Sequence, residues 1–150
     1  MTTAHWPPHV TVATVVEDQG RFLFVYEQTD QGPRINQPAG HLEPGESLTQ
    51  AAIRETLEET RWRVELTGFL GVSTYSAANG ALYVRSTFLG RPLAEDTALQ
   101  LDTGIIEPLW LTPDELRTRQ AQWRSPLVGD VIDLFLQHGA APLELGSLHR

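Results

Sequence analysis

Residues 36–62 constrain the fold of this chain more than any other part, because a loop and a helix can both be located there. The segment reads NQPAGHLEPGESLTQAAIRETLEETRW, and its Pro44-Gly45 pair does not readily continue a helix. Ser47, followed three residues later by Gln50, matches a capping box. Residues 48–60 contain neither glycine nor proline and are dominated by strong helix formers, which predicts a helix there.

The predicted helix carries three carboxylates on one face. Glu55, Glu58 and Glu59 are spaced i, i+3 and i+4, so they are neighbours on the helix surface and repel one another. Arg54 can pair with part of this face but cannot neutralise three acids. A hard divalent cation can, because Mg²⁺ prefers oxygen ligands and accepts substrate phosphates into its shell. The face is therefore either a solvated acidic surface or a cation site.

Five runs rich in β-branched and apolar residues flank this helix and predict strands. The runs are residues 10–18, 21–28, 62–76, 81–93 and 105–112. Residues 29–34 read as a loop. Two further helices are predicted, one capped by Thr112 and one over residues 125–139, with Ser125 as its cap. This order is typical of an α+β fold with helices packed on the faces of a mixed sheet.

Apolar spacing also predicts which helix faces are buried. In the first helix, Ile53 and Leu57 lie four residues apart and are expected to point into the core. In the last helix, the same argument selects four apolar residues for a buried face. They are Leu127, Val131, Leu134 and Phe135.

Composition excludes several classes of protein. The 150 residues are 41% hydrophobic and 20% charged, which predicts one folded domain over 1–150. The net charge of −8 argues against non-specific nucleic-acid binding, and no apolar run approaches the roughly 20 residues that span a bilayer. Absence of cysteine and of a signal-like N-terminus favours the cytoplasm, and we expect a monomer. The net charge is compatible with a small phosphorylated substrate only if local arginines or metal ions hold its negative charge.

The acidic segment also follows a longer pattern, Gly40-x5-Glu46-x7-Arg54-Glu55-x2-Glu58-Glu59. This pattern resembles the signature of the Nudix hydrolases, in which a loop–helix element binds Mg²⁺ and cleaves a diphosphate linkage. The resemblance implies a Nudix-type α/β/α sandwich with a mixed β-sheet and a loop–helix catalytic element.

Two positions depart from the family pattern. Arg61 stands where the pattern ends in glycine, and Thr56 stands where a larger apolar residue is usual. If the backbone at Arg61 is left-handed, a non-glycine residue there costs on the order of 1 kcal/mol. Neither departure removes an acid, so we expect catalysis to be retained.

The resemblance assigns roles to the matching residues. Glu55, Glu58 and Glu59 would bind Mg²⁺, with Mn²⁺ as an alternative, and the carbonyl of Gly40 would add a ligand. Arg54 would orient the glutamates through charge-assisted hydrogen bonds. Either Glu55 or Glu59 would serve as the base that activates the attacking water, and the spacing does not distinguish them.

Two further roles concern acids outside that group. Glu46 belongs to the motif and is expected to be structural rather than to bind the metal. Family members often take another metal ligand from a later loop, for which Glu107 and Asp102 are the candidates, with Glu107 preferred.

Four other segments resemble the NudJ-type phosphatases within the family. The segments are PHVTVA (8–13), NQPAGHLE (36–43), RSPLV (124–128) and PLE (142–144). This resemblance implies release of orthophosphate from nucleoside tri- and diphosphates and from thiamine-type pyrophosphates, namely hydroxymethylpyrimidine pyrophosphate and thiamine pyrophosphate. The alternatives are a pyrophosphatase acting on ADP-ribose or dinucleotides, and a non-catalytic ligand-binding module.

Five residues are predicted to contact the substrate through amide, guanidinium or aromatic groups. They are Asn36, Gln37, Arg124, Arg34 and Tyr75. A second group is chemically suitable, but each member is more often found in the core or at the surface. These residues are Trp6, Tyr83, Trp123, Arg85 and His41.

Overall fold

The computed structural model describes residues 7–150, and one sheet holds its strands together. The described elements are β1 (His9–Asp18), β2 (Arg21–Thr29), β3 (Gly32–Asn36), β4 (Ala39–His41), α1 (Leu48–Thr60), β5 (Trp62–Ser76), β6 (Leu82–Glu95), β7 (Ile105–Leu111), α2 (Pro113–Thr118) and α3 (Leu127–His138). Short 3-10 helices cover Gln120–Gln122 and Leu143–Gly146. None of the helices within residues 7–150 has the length and apolar character needed to cross a membrane.

The sheet is mixed, and its topology creates a gap beside β1. Its order is β3-β2-β1-β6-β5, with β4 paired to β1 and β7 paired to β2. β1 and β6 run parallel, whereas the other pairs are antiparallel. β1 pairs with β2 only next to their turn, through Glu17↔Phe22 and Asp18↔Arg21. The two strands then separate, and β4 takes the edge of β1 that β2 leaves.

Side chains alternate along β1 between two cores, one on each face of the sheet. Val12 and Val16 face α1 and pack with Ala51 and Ala52, whereas Val15 faces the core beneath α2 and α3. Helices therefore cover both faces of a mixed sheet. The predicted α+β, α/β/α sandwich is confirmed.

The first helix begins and ends where the sequence predicts. Ser47 Oγ accepts a hydrogen bond from Gln50 N at 3.1 Å, and Gln50 Oε1 accepts one from Ser47 N at 2.9 Å. The capping box is therefore complete. The predicted loop over 29–34 is partly wrong, because Gly32 already pairs with Thr29 at the start of β3.

The predicted buried face of α1 is wrong. Ile53 is 40% exposed, and the buried residues are Ala51, Ala52, Thr56 and Thr60. Small side chains let the helix approach the sheet closely, where the Thr56 hydroxyl lies 2.9 Å from Thr14 Oγ1 on β1. Thr56, unusual for the family pattern, is thus a buried polar contact between helix and sheet.

The last helix starts slightly later than predicted, and its buried face matches the prediction only in part, because Val131 and Phe135 are half-buried against the core. Its buried residues are Val128, Gly129 and Ile132, whereas Leu134 is 44% exposed. Ser125 precedes the helix and accepts a hydrogen bond from Leu127 N at 3.2 Å, although Pro126 occupies the cap position.

Candidate active site

Three carboxylates converge at the C-terminal half of α1. Glu55, Glu58 and Asp102 offer oxygens that all lie within 4.8 Å of one another. Asp102 reaches the helix because its backbone N–H donates to the Glu58 carbonyl at 3.1 Å. The preference for Glu107 is therefore corrected. Glu107 is exposed on β7, where it pairs with Tyr26, and Asp102 is the later acid that lies beside Glu55 and Glu58.

Arg54 connects the acids to the loop before the helix. Its Nη1 donates to Glu55 at 2.8 Å and to Glu58 at 3.2 Å. Its Nη2 donates to Glu46 at 2.9 Å and to the carbonyl of His41 at 3.1 Å. The hydrogen bond from Arg54 lowers the pKa of Glu46, and the pKa of Arg54 itself is raised mainly by Glu46. Both groups are held charged, which fixes the guanidinium beside Glu55 and Glu58.

Gly40 on β4 lies directly against one of these acids. A Cβ built on Gly40 would stand 2.1 Å from the carboxyl carbon of Glu55. Any side chain at this position would displace the Glu55 carboxylate. The glycine of the motif is therefore required by a close approach between strand and helix.

Glu59 and Glu55 are acids whose ionisation is disfavoured by their surroundings. Glu59 Oε1 accepts a hydrogen bond from Ala39 N at 2.8 Å. Burial raises the pKa of Glu59 to about 8, the Ala39 hydrogen bond opposes this, and the nearby acids Glu27, Glu55 and Asp102 add to it. Burial also raises the pKa of Glu55. Oxygen ligands crowded in this way fit a hard divalent cation, which would offset their repulsion.

A cavity of about 530 Å³ opens beside Gly40. Three arginines, at positions 34, 85 and 124, line it together with Asn36, Tyr75 and Tyr83. Four of the five predicted substrate contacts therefore border the cavity, and three cationic side chains face it. Its size and lining suit a small anionic ligand.

Strand register arranges the residues at and next to this cavity in two rows. Residues opposite one another on neighbouring strands share a face of the sheet. The first row is Tyr75, Tyr83 and His9, and the second row is Arg85, Thr11 and His41. Ala39, whose N–H donates to Glu59, pairs with Ala13, which is two residues after Thr11 on β1 and so on the same face. The second row therefore lies between the aromatic row and the acids.

The fifth predicted substrate contact, Gln37, is corrected by its burial. Its side chain is 1% exposed, and its Nε2 donates to the carbonyl of Val128 at 2.9 Å. The side-chain amide thus links the connection between β3 and β4 to α3 by a hydrogen bond, and it does not face the cavity. A polar residue next to a predicted loop gave no indication of this burial.

Trp123, another aromatic candidate from the sequence, is packed against the core and does not line the cavity. Trp123 donates its indole N–H to Leu116 O at 3.0 Å, and a Cβ on Gly129 would lie 2.3 Å from the Trp123 ring. Trp123 is thus packed under α3. Trp6 lies outside the described residues.

Glu27 is a site residue that sequence reasoning missed. It stands on β2 and accepts a hydrogen bond from Arg124 Nη1 at 2.8 Å at the edge of the cavity. No motif surrounds Glu27, and only its pairing with Arg34 across β2 and β3 brings it to the cavity. Arg124, predicted to clamp phosphate, therefore already has a carboxylate partner.

Comparison with known proteins agrees with this geometry. The NUDIX domain model matches residues 6–131. Phosphatase NudJ from Shigella boydii serotype 4 and from Escherichia coli strain K12 are each 34% identical over 138 residues, covering 92% of this chain and 90% of theirs. A NUDIX hydrolase structure from Nitrosomonas europaea superposes with a TM-score of 0.90 and 40% identity, covering 95% of this chain and 97% of that one. The acid-bearing motif, the sandwich fold and these relatives together show that the chain belongs to the Nudix hydrolase family.

Proposed function

We propose that the protein is a Mg²⁺-dependent phosphohydrolase that releases orthophosphate from nucleoside tri- and diphosphates and from thiamine-type pyrophosphates. The observation that carries this proposal is a cavity lined by three arginines that opens beside Gly40, next to the acidic cluster. The relatives named phosphatase NudJ, which match 92% of this chain, support orthophosphate as the product. The thiamine-type substrates are hydroxymethylpyrimidine pyrophosphate and thiamine pyrophosphate.

Within this proposal, the acids divide into metal ligands and a base. Glu55, Glu58 and Asp102 would hold the ion. Glu59 and the carbonyl of Gly40 lie next to this group and would be further ligands, and Glu59 would also be the base. Mg²⁺ is the expected ion and Mn²⁺ an alternative, because both accept hard oxygen ligands. When bound, the ion neutralises charge that develops on the phosphate oxygens during attack.

The protein side chains supply positioning and proton transfer. One oxygen of Glu59 is fixed by Ala39 N–H, and burial raises its pKa, so its carboxylate is a stronger base than an exposed one. It would take a proton from the attacking water once a bound cation favours the charged form. Arg54 holds Glu55 and Glu58 in place. Glu55 is the alternative base, because burial raises its pKa as well.

A product assay tests the proposal. The protein is incubated with Mg²⁺ and GTP, GDP, thiamine pyrophosphate or ADP-ribose, and the products are separated and identified. We expect orthophosphate from GTP, GDP and thiamine pyrophosphate. Pyrophosphate from GTP, or AMP from ADP-ribose, would contradict the phosphatase assignment, and no turnover of any substrate would favour a ligand-binding module.

We also propose that the enzyme acts as a cytoplasmic monomer. The absence of cysteine suits a reducing compartment, and the site described above is assembled from one chain. Size-exclusion chromatography with light scattering measures the mass in solution. A value near 16.7 kDa is expected, whereas twice that mass would contradict the monomer.

A further inference from the structure

We propose that Arg85 on β6 is a substrate-binding residue that contacts the phosphate chain of the ligand. This inference rests on the proposed function, because it assigns a phosphate contact within the same cavity. It adds Arg85 to Arg34 and Arg124, which the sequence favours as phosphate contacts.

The partners of Arg85 distinguish it from Arg124. Arg85 Nη2 donates to the amide oxygen of Asn36 at 3.2 Å, a neutral acceptor. Within residues 7–150, no carboxylate oxygen lies within 4.0 Å of its guanidinium nitrogens, whereas Arg124 pairs with Glu27 at 2.8 Å. Arg85 is thus a cation in the cavity wall without a direct anionic partner.

The surroundings of Arg85 disfavour an uncompensated charge. The side chain is only partly exposed, and burial lowers the pKa of Arg85 to about 10 even though Glu27 and Glu59 raise it. The guanidinium therefore stays charged at neutral pH but has lost part of its hydration. A phosphate group would restore the lost interactions, since guanidinium groups bind phosphate oxygens in a planar, often bidentate arrangement.

The position of Arg85 fits a ligand with phosphates at one end and a ring at the other. Arg85 occupies the row between the acids and the aromatic row defined above. Tyr83 lies two residues before Arg85 on the same strand and lines the same cavity, so the two side chains share a face. This order suits a phosphate ester of a planar ring, with its phosphates next to Arg85 and its ring toward Tyr83.

Arg91 provides a matched control on the same strand. It is an exposed arginine of β6 that pairs with Glu65 at 2.9 Å and does not line the cavity. Arg85→Gln removes one positive charge from the cavity wall, and Arg91→Gln removes one positive charge outside the cavity. Arg85→Lys keeps the charge but removes the planar donor pair.

The experiment measures binding by isothermal titration calorimetry with Mg²⁺ and two probes. The probes are guanosine 5′-[β,γ-imido]triphosphate and guanosine, which lacks phosphate. We expect Arg85→Gln to raise Kd for the triphosphate analogue at least about tenfold, Arg85→Lys to have an intermediate effect, and Arg91→Gln to stay within about twofold. Guanosine binding should be equal in all four proteins.

Thermal unfolding separates a ligand contact from a structural role. Because the charge of Arg85 lacks a direct counter-ion, Arg85→Gln should keep or raise the melting temperature of the ligand-free protein. Unfolding of this variant, a lower melting temperature, or weaker binding of guanosine would overturn the inference. So would an analogue affinity within twofold of wild type, or failure of the wild-type protein to bind the analogue at millimolar concentration.

Failure of this inference can be told apart from failure of the proposed function. A wild-type protein that binds the analogue through Arg85 but hydrolyses none of the phosphates would refute the function alone. A wild-type protein that releases orthophosphate, with an Arg85→Gln variant that binds normally, would refute the Arg85 contact alone.

Discussion

At the scale of single residues, Glu59 combines a fixed position with a pKa near neutrality. We predict that Glu59→Gln lowers kcat for orthophosphate release by at least about 100-fold. Glutamine can still accept the hydrogen bond from Ala39 N, so the geometry is kept, but the amide neither accepts a proton nor carries negative charge. Release of orthophosphate from GTP measures the rate, and circular dichroism verifies the fold.

Glu65→Gln is the matched control for this substitution. Glu65 is an exposed acid on β5 whose partner is Arg91, away from the cavity. Its variant should turn over GTP at close to the wild-type rate. Near-normal turnover by Glu59→Gln would show that the base and the metal site have been assigned to the wrong residues.

The raised pKa of Glu59 also predicts how stability depends on pH without metal. The folded protein holds this proton up to about pH 8, whereas the ordinary value is 4.5. Unfolding therefore releases a proton between these values, and the stability contributed by Glu59 is complete below pH 4.5 and lost as pH rises towards 8. In EDTA, the free energy of unfolding in urea should fall more between pH 5.5 and 8.5 in wild type than in Glu59→Gln.

The measurement has an internal check. Burial raises the pKa of Glu55 too, so the Glu59→Gln protein should keep a smaller decrease in the same direction. Equal decreases in the two proteins would mean that Glu59 is not the group responsible. Added Mg²⁺ should reduce the decrease in wild type, because a bound cation favours the charged carboxylates.

At the scale of elements, Arg61 ends α1 in a conformation that favours glycine. Its φ is 66° and its ψ is 10°, and its backbone N–H closes the helix on Leu57 O. We predict that Arg61→Gly increases the free energy of unfolding by about 1 kcal/mol. The ion pair with Glu95 is long, 4.0 Å, and partly exposed, so its loss costs little. The buried Arg61 Nε, which has no hydrogen-bond partner among the described residues, is removed as well.

Gly139 offers the reverse substitution at the end of α3. Its φ is 70°, and a Cβ there would meet no atom within 4 Å, so alanine would test backbone strain alone. Gly139→Ala should lower the free energy of unfolding by about 1–3 kcal/mol in the same urea titration. A destabilised Arg61→Gly protein would show that the arginine side chain matters more than its backbone conformation.

The ends of α1 were predictable from sequence, whereas its buried face was not. Caps are local, so Ser47 and Gln50 define the start of α1 without knowledge of the rest of the fold. Which side of α1 faces the sheet depends on how closely the helix can approach β1. The small residues Ala52 and Thr56 allow a closer approach than Ile53 does. Apolar character alone therefore selected the wrong side of the helix.

At the scale of the whole molecule, the site combines one continuous motif with residues brought in by strand register. Arg54 and the acids of α1 could be predicted because they lie together in sequence. Arg85 was only a minor candidate from the sequence, because its place beside Thr11 and His41 requires the parallel pairing of β6 with β1 and the insertion of β4. Register irregularities between β5 and β6 further obscure which residues share a face.

The loop after β6 brings Asp102, rather than the Glu107 preferred from the sequence, next to the acids of α1. The backbone N–H of Asp102 binds the Glu58 carbonyl, which holds its side chain within 4.8 Å of Glu55 and Glu58 oxygens. Glu107 is an exposed acid of β7 outside this group. Asp102→Asn therefore removes one negative charge from the cluster, and Glu107→Gln removes one negative charge outside it.

We predict that Asp102→Asn weakens binding of Mg²⁺ about tenfold, whereas Glu107→Gln changes it less than about twofold. The measurement is the melting temperature as a function of MgCl₂ concentration, because an ion that binds only the folded protein stabilises it by an amount that grows with the logarithm of 1 + [Mg²⁺]/Kd. The Asp102→Asn curve should shift to higher MgCl₂ while the metal-free melting temperature stays close to wild type, since asparagine preserves the backbone hydrogen bond to Glu58. If Glu107→Gln shifted the curve and Asp102→Asn did not, the metal ligand would be Glu107 on β7. The segment that carries Glu107 would then have to rearrange when the metal binds.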